Sequence, residues 1–156
     1  MIFEYKTPED LLAYMSDFDY TNFDTLMNPV DVCRLGEGSC HDQTFFELEA
    51  LSQMGLQPKA KFLMAVDSDN IGGETHSFAY WVDQNNAYWF ENAWSDYQGI
   101  HKCVGEEDML VTVISYFRNR NPYNYIFLGD FNPDEHTVGE DLDTFVDICM
   151  ENAILV

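Results

Sequence analysis

Basic residues are scarce in this chain: seven Lys and Arg stand against 28 Asp and Glu, a net charge of −21. That balance repels nucleic-acid backbones and anionic membrane surfaces at ordinary salt, so no direct nucleic-acid contact is expected. The acids are spread through folded-looking segments and read as a solvated surface; attraction of cationic substrates, or mimicry of nucleic acid toward a basic partner, are the sharper readings. Long apolar runs are also missing. None approaches the roughly 18 residues that span a bilayer, and the opening Met1-Ile2-Phe3-Glu4-Tyr5-Lys6 lacks the basic-then-apolar pattern of a signal peptide, so a cytoplasmic protein without membrane attachment is expected. Cysteine is sparse. Cys33, Cys40, Cys103 and Cys149 form no CxxC pair, which argues against a disulfide framework. The spacing of Cys33, Cys40 and His41 is too irregular for a structural zinc, and neither metal nor cofactor is expected.

What is present supports a folded globule. At 156 residues, 46% hydrophobic and 15% aromatic, the chain reads as one domain over residues 1–156. Thr7-Pro8-Glu9-Asp10 is a helix start leading into Leu11-Leu12-Ala13-Tyr14-Met15, with threonine as cap and proline in the first turn. Residues 16–37 read as loop and short helix. Apolar residues at helical spacing run from Cys40 to Met54 and stop at Gly55. Ala60–Val66 reads as a strand, Asp67–Gly73 as a polar glycine-rich loop, and Thr75–Val82 with Ala87–Glu91 as an antiparallel hairpin joined by Asp83–Asn86. Glu106–Arg118 is helical, Tyr123–Leu128 a strand and Glu140–Asn152 a closing helix, in which Cys149 falls on the core side. Helices followed by a mostly antiparallel sheet make the class α+β.

Gly38-Ser39-Cys40-His41-Asp42 puts a thiol where a helix begins. The unpaired N–H groups there favour a thiolate and can hold an oxyanion. A sulfur nucleophile also needs a base and a third group that fixes the base's ring. The chain supplies these in the order Cys40, His76, then Glu91 or Asn92. His76 starts a strand and has the pKa range suited to general-base work. His41, next to Cys40 on a helix, is expected to point away from the thiol, and His101 and His136 are read as solvated loop residues. Alternate strand residues face opposite sides, so Glu91 and Asn92 cannot both serve His76. Asp42 has a structural reading, a first-turn carboxylate that favours the helix dipole. The aromatics Phe78, Tyr80, Trp81, Tyr88, Trp89, Phe90 and Trp94 read as about half core and half surface, the latter lining an acceptor groove.

Taken together, Gly38-Ser39-Cys40-His41-Asp42, Leu51, Gly55-Leu56, Thr75-His76-Ser77-Phe78 and Trp89-Phe90-Glu91 resemble the transglutaminase-like branch of the papain-like cysteine proteins. The resemblance spans roughly Gly36 to Trp94. It implies a papain-like α+β fold, with the cysteine at the N-terminus of a central helix packed on the sheet. It also implies Cys40 as nucleophile, His76 as base and Glu91 as the acidic third member. The family more often has aspartate there. Asn92-Ala93-Trp94 resembles instead the Asn-Ser-Trp of papain-type peptidases, which makes Asn92 the alternative third member. Papain-type peptidases also carry a glutamine a few residues before the nucleophile. No glutamine precedes Gln43 here, so the Cys40 N–H is one oxyanion donor and the second is unassigned, with Asn22 and Asn28 as candidates.

The expected function is thiol-dependent acyl transfer on an amide or peptide bond, as a cysteine peptidase, amidase or transglutaminase-type enzyme. Its substrate is a protein or peptide, and the net charge favours a cationic one. The alternative, from another class, is a non-catalytic acidic binding or inhibitor protein that keeps the fold and targets a basic or nucleic-acid-binding partner.

Overall fold

The computed structural model describes residues 2–68, 73–123 and 125–156. Its elements are α1 (Pro8–Met15), β1 (Asp19–Tyr20), α2 (Pro29–Leu35), β2 (Glu37–Gly38), α3 (Cys40–Gln53), β3 (Lys59–Val66), β4 (Glu74–Asp83), β5 (Asn86–Glu91), β6 (Gly99–Cys103), α4 (Glu106–Arg120), β7 (Tyr125–Asp130), α5 (Leu142–Met150) and β8 (Ile154–Leu155). Six strands form one antiparallel sheet in the order β6-β5-β4-β3-β7-β8, while β1 and β2 make a separate two-residue parallel pairing. The class is α+β. Among the described residues no helix is long and apolar enough to cross a membrane.

Alternation along the strands builds a core on each face of the sheet. Phe62, Ala79 and Phe90 join Leu11, Met15, Val32, Phe46, Leu51 and Phe145 on the side of α1, α2, α3 and α5. Their neighbours Leu63, Tyr80 and Trp89 join Met109, Val113 and Phe117 of α4 on the other. With helices on both faces, the aromatic hairpin has little free surface. Phe78, Tyr80, Trp81, Trp89, Phe90 and Trp94 are all buried, which corrects the expectation that half of them line a surface groove.

Local chemistry sets the element ends. Thr7 caps α1 by accepting the Asp10 N–H. Ser39 caps α3 in a reciprocal box with Asp42, and Gly55 ends that helix with φ +89°, a left-handed conformation open to glycine. The closing helix is shorter than expected. Asp141 is its cap, accepting the Thr144 N–H at 2.8 Å, and Glu140 turns back to His136 and the Thr137 N–H. Residues 69–72 of the expected glycine-rich loop and residue 124 of the expected last strand lie outside the described residues.

Candidate active site

α3 presents its N-terminus to the start of β4, and the Gly-x-Cys-x-Asp run builds that junction. Asp42 is buried and accepts from the Ser39 N–H at 2.9 Å, the Ser39 hydroxyl at 3.0 Å and the Met27 N–H at 2.8 Å. Its role is to clamp the turn that delivers Cys40. Gly38 is required by that clamp, since a Cβ there would lie 2.8 Å from the Asp42 Cβ. Ser39 as cap makes Cys40 the first helical residue, among the unpaired N–H groups of the helix end.

β4 turns Thr75 and Ser77 to one face and His76 to the other. His76 Nε2 donates to Glu91 Oε1 at 2.6 Å, and the second carboxylate oxygen accepts the Trp94 N–H at 3.0 Å. Glu91, 2% exposed, is thereby fixed at both oxygens. A carboxylate only accepts, so it holds the ring proton on Nε2 and leaves Nδ1 for the thiol. Trp94 packs edge-on against the ring with centroids 5.2 Å apart, and Phe78 stacks on it at 6.1 Å. His76 shares the wall of one cleft with Cys40, near enough for each to shift the other's titration.

Asn92 does something else. Its amide donates to the Met15 carbonyl at 3.0 Å and to Gln43 Oε1 at 2.8 Å, and its oxygen accepts from Gln98 Nε2 at 2.8 Å. The alternation that sends Glu91 to His76 sends Asn92 to the opposite face, where it ties β5 to α1 and α3. The alternative third member is thus placed away from His76.

His41 corrects a further expectation. Rather than pointing away from the thiol, its Nδ1 lies 3.8 Å from Cys40 Sγ and 2.6 Å from Ser77 Oγ, with Nε2 3.1 Å from Thr75 Oγ1. Helix side chains lean toward the N-terminus, so His41, in the first turn, reaches past the helix end to the β4 hydroxyls that fix its ring beside the thiol. Phe145, 4.6 Å away, holds the ring. The cue in the sequence is Thr75 and Ser77, hydroxyls flanking His76 that can face a polar ring on α3. His101 and His136 are not solvated either: His101 stacks on Trp89 at 4.4 Å, and His136 is buried beside Cys149.

The electrostatics follow from these contacts. Burial alone would raise the Cys40 thiol, but the charge and hydrogen bond of His41, then those of His76, outweigh it and hold the thiol well below its ordinary value. Burial alone would lower His76; the charge of Glu91 and hydrogen bonds with Cys40 and Glu91 instead raise it to about 10. Both shifts run in the direction that favours thiolate and imidazolium. Below it, Glu47 of α3 is buried, and burial followed by the charge of Glu91 raises its carboxyl well above the usual range. Its Oε2 has no hydrogen-bond partner among the described residues.

Cys40, only 3% exposed, and His76 border a cleft of about 780 Å³ shared with Tyr20, Asn22, Trp94 and Arg120. Of the proposed oxyanion donors, Asn28 caps α2, its oxygen accepting the Val30 N–H at 3.0 Å, and is not among the residues that line the cleft, whereas Asn22 is. Among the described residues, no three His, Cys, Asp or Glu side chains converge as metal ligands. Set against protein-family models and curated proteins, the chain matches none.

Proposed function

We propose that the chain is a thiol-dependent acyl-transfer enzyme of papain-like, transglutaminase-like type, with Cys40 as nucleophile, His76 as general acid and base, and Glu91 as the group that orients His76. The observation that carries this reading is the arrangement itself: a thiol at a helix N-terminus, on the same cleft wall as a histidine whose Nε2 is 2.6 Å from a buried carboxylate. A buried ion pair is weak as a source of stability, because desolvation offsets its attraction. A non-catalytic acidic binder has no use for one beneath a cleft.

In this mechanism Cys40 Sγ attacks an amide carbonyl carbon, the π pair moves to oxygen, and the Cys40 N–H donates to the oxyanion. Collapse re-forms the carbonyl and breaks the C–N bond while His76 hands its proton to the leaving amine, giving a thioester. His76, now neutral, takes a proton from the incoming acceptor as that acceptor's O or N bonds to the thioester carbon, and collapse breaks the C–S bond and returns the Cys40 thiolate. Water as acceptor gives an acid, and an amine gives a new amide.

Alkylation by iodoacetamide, with the modified cysteine located by mass spectrometry, tests the reading. Burial raises the Cys103 thiol, and the Cys149 thiol is pushed up to about 12, whereas Cys40 is lowered. Cys40 should therefore react at least tenfold faster than Cys103 or Cys149 at pH 6–7, and His76→Ala should slow it. Equal labelling of these native cysteines sinks the proposal.

A further inference from the structure

An acylating thiol at Cys40 leaves one requirement open. The tetrahedral intermediate carries a full charge on the former carbonyl oxygen, and the Cys40 N–H is a single donor to it. Tyr20 stands at that place. Its backbone is tied to the segment that delivers the nucleophile: Tyr20 pairs with Gly38 between β1 and β2, the Thr21 N–H donates to the Gly38 carbonyl at 3.2 Å, and the Asp19 N–H donates to that of Gly36 at 3.0 Å. Its side chain borders the cleft with Cys40, His76 and Trp94. On that wall its hydroxyl lies close enough to Cys40 for the Cys40 backbone and thiol both to act on it.

The position is informative because of which atoms act on it. An oxygen that accepts from the Cys40 N–H while lying beside Sγ is where the oxygen of an attacked carbonyl must sit. A hydroxyl both donates and accepts. A hydroxyl beside the Cys40 N–H can turn to donate to a carbonyl oxygen that accepts from that N–H. We propose that Tyr20 is a catalytic residue of this site, its hydroxyl giving the second hydrogen bond to the oxyanion, so that the Cys40 N–H and the Tyr20 phenol together form the oxyanion hole. The inference rests on the reading of Cys40 as the acylated thiol. Tyr20 keeps its proton throughout: the C–S bond forms, the π pair moves to oxygen, and on collapse the proton that leaves with the amine is that of His76. Burial, followed by the neighbouring Cys40, raises the phenol above its ordinary value, so it stays a donor across the working pH range.

Two thiol reagents separate this role from the others. p-Nitrophenyl acetate acylates Cys40 through a tetrahedral oxyanion, whereas iodoacetamide alkylates it by displacement at a saturated carbon, with no oxyanion. The readout is the ratio of acylation to alkylation rate at Cys40. Tyr20 is 51% exposed, so Tyr20→Phe removes the hydroxyl without opening a cavity, and the alkylation rate reports that the thiol is intact. Tyr20→Phe should lower the ratio at least tenfold, since loss of one such donor costs about 10²–10³ in rate in a well-formed hole. An unchanged ratio makes Tyr20 a bystander, and a raised one makes it a plug; either overturns the proposal. If wild-type Cys40 reacts with neither reagent faster than Cys103 does, the thiol-enzyme reading itself fails and the proposal falls with it.

Discussion

A carboxylate and a carboxamide do different things to one imidazole, and the chain holds both at adjacent positions. Glu91 stabilises the imidazolium by charge, while Asn92 is engaged with Met15, Gln43 and Gln98. Glu91→Gln should lower the pH above which acylation falls off, from near 10 toward the ordinary histidine range of about 6.5. Asn92→Ala should leave that limb in place and lower stability, by roughly 1–3 kcal/mol for the buried partners it strands. A pH–rate profile of each variant decides; equal effects would remove Glu91 from the relay. Glu47 allows a second test at this scale. Its folded-state pKa is raised above the unfolded value of 4.5, so its contribution to stability is fully present below 4.5 and is lost as pH rises through the raised value. Between the two, the wild type loses about 1.4 kcal/mol per pH unit relative to Glu47→Gln, which does not titrate. Denaturant unfolding at pH 4.5 and 7.5 measures the change. A wild-type-to-variant difference that is the same at both would mean that Glu47 ionises in the fold as it does in the unfolded chain.

At the scale of elements, what the sequence made legible is what local chemistry dictates. α1, α3 and the β4–β5 hairpin follow from Thr7 and Ser39 as caps, Gly55 as stop and the alternating run around His76. That Cys40 begins a helix and that His76 and Glu91 lie on paired strands was legible too. β6 and β8 were not. β6 is a short mixed stretch, Gly-Ile-His-Lys-Cys, made a strand by its pairing with β5, and β8 is two residues held against β7. Tyr20 and His41 escaped for a similar reason, since the β1–β2 pairing that brings Tyr20 to the cleft and the Thr75 and Ser77 hydroxyls that hold His41 beside the thiol join segments distant in sequence. The α3 N-terminus, which gathers these contacts, is also the element most sensitive to a small change. Gly38→Ala forces a Cβ against Asp42 in a clamp with no slack. It should cost roughly 1–3 kcal/mol of stability and slow Cys40 alkylation by displacing the thiol from the helix end. Denaturant unfolding with labelling checks both, and wild-type values for the two would show that the Gly38–Asp42 approach is not tight.

At the scale of the molecule, two sets of cysteine, histidine and glutamate occur among the described residues, and they sit in opposite fields. Cys149 Sγ lies 3.8 Å from His136 Nε2, and His136 Nδ1 lies 3.3 Å from Glu140 Oε2. Yet Cys149 is at the C-terminal end of α5, where the helix dipole opposes a thiolate, and burial together with Glu140, Glu135 and Asp130 pushes its thiol up to about 12. Cys40 has the opposite helix end and two histidines. A thiolate there and an imidazolium at His76 would nearly cancel, so the charge an incoming molecule meets is that of the surroundings. There the molecule carries −21, and Arg120 is the one Lys or Arg among the described residues lining the cleft, 5.5 Å over the Trp94 ring and 3.9 Å from Glu74, with Asp96 also on the wall. A field of this sign raises the local concentration of cations. At an ionic strength of about 0.01 M, where the Debye length is about 30 Å, a trimethylammonium-bearing methanethiosulfonate should modify Cys40 about tenfold faster than its sulfonate-bearing counterpart. At about 1 M salt the Debye length is about 3 Å and the two rates should converge. Equal rates at low salt would mean that Arg120 cancels the acidic field at the cleft, and the preference for a cationic substrate would then have no electrostatic basis.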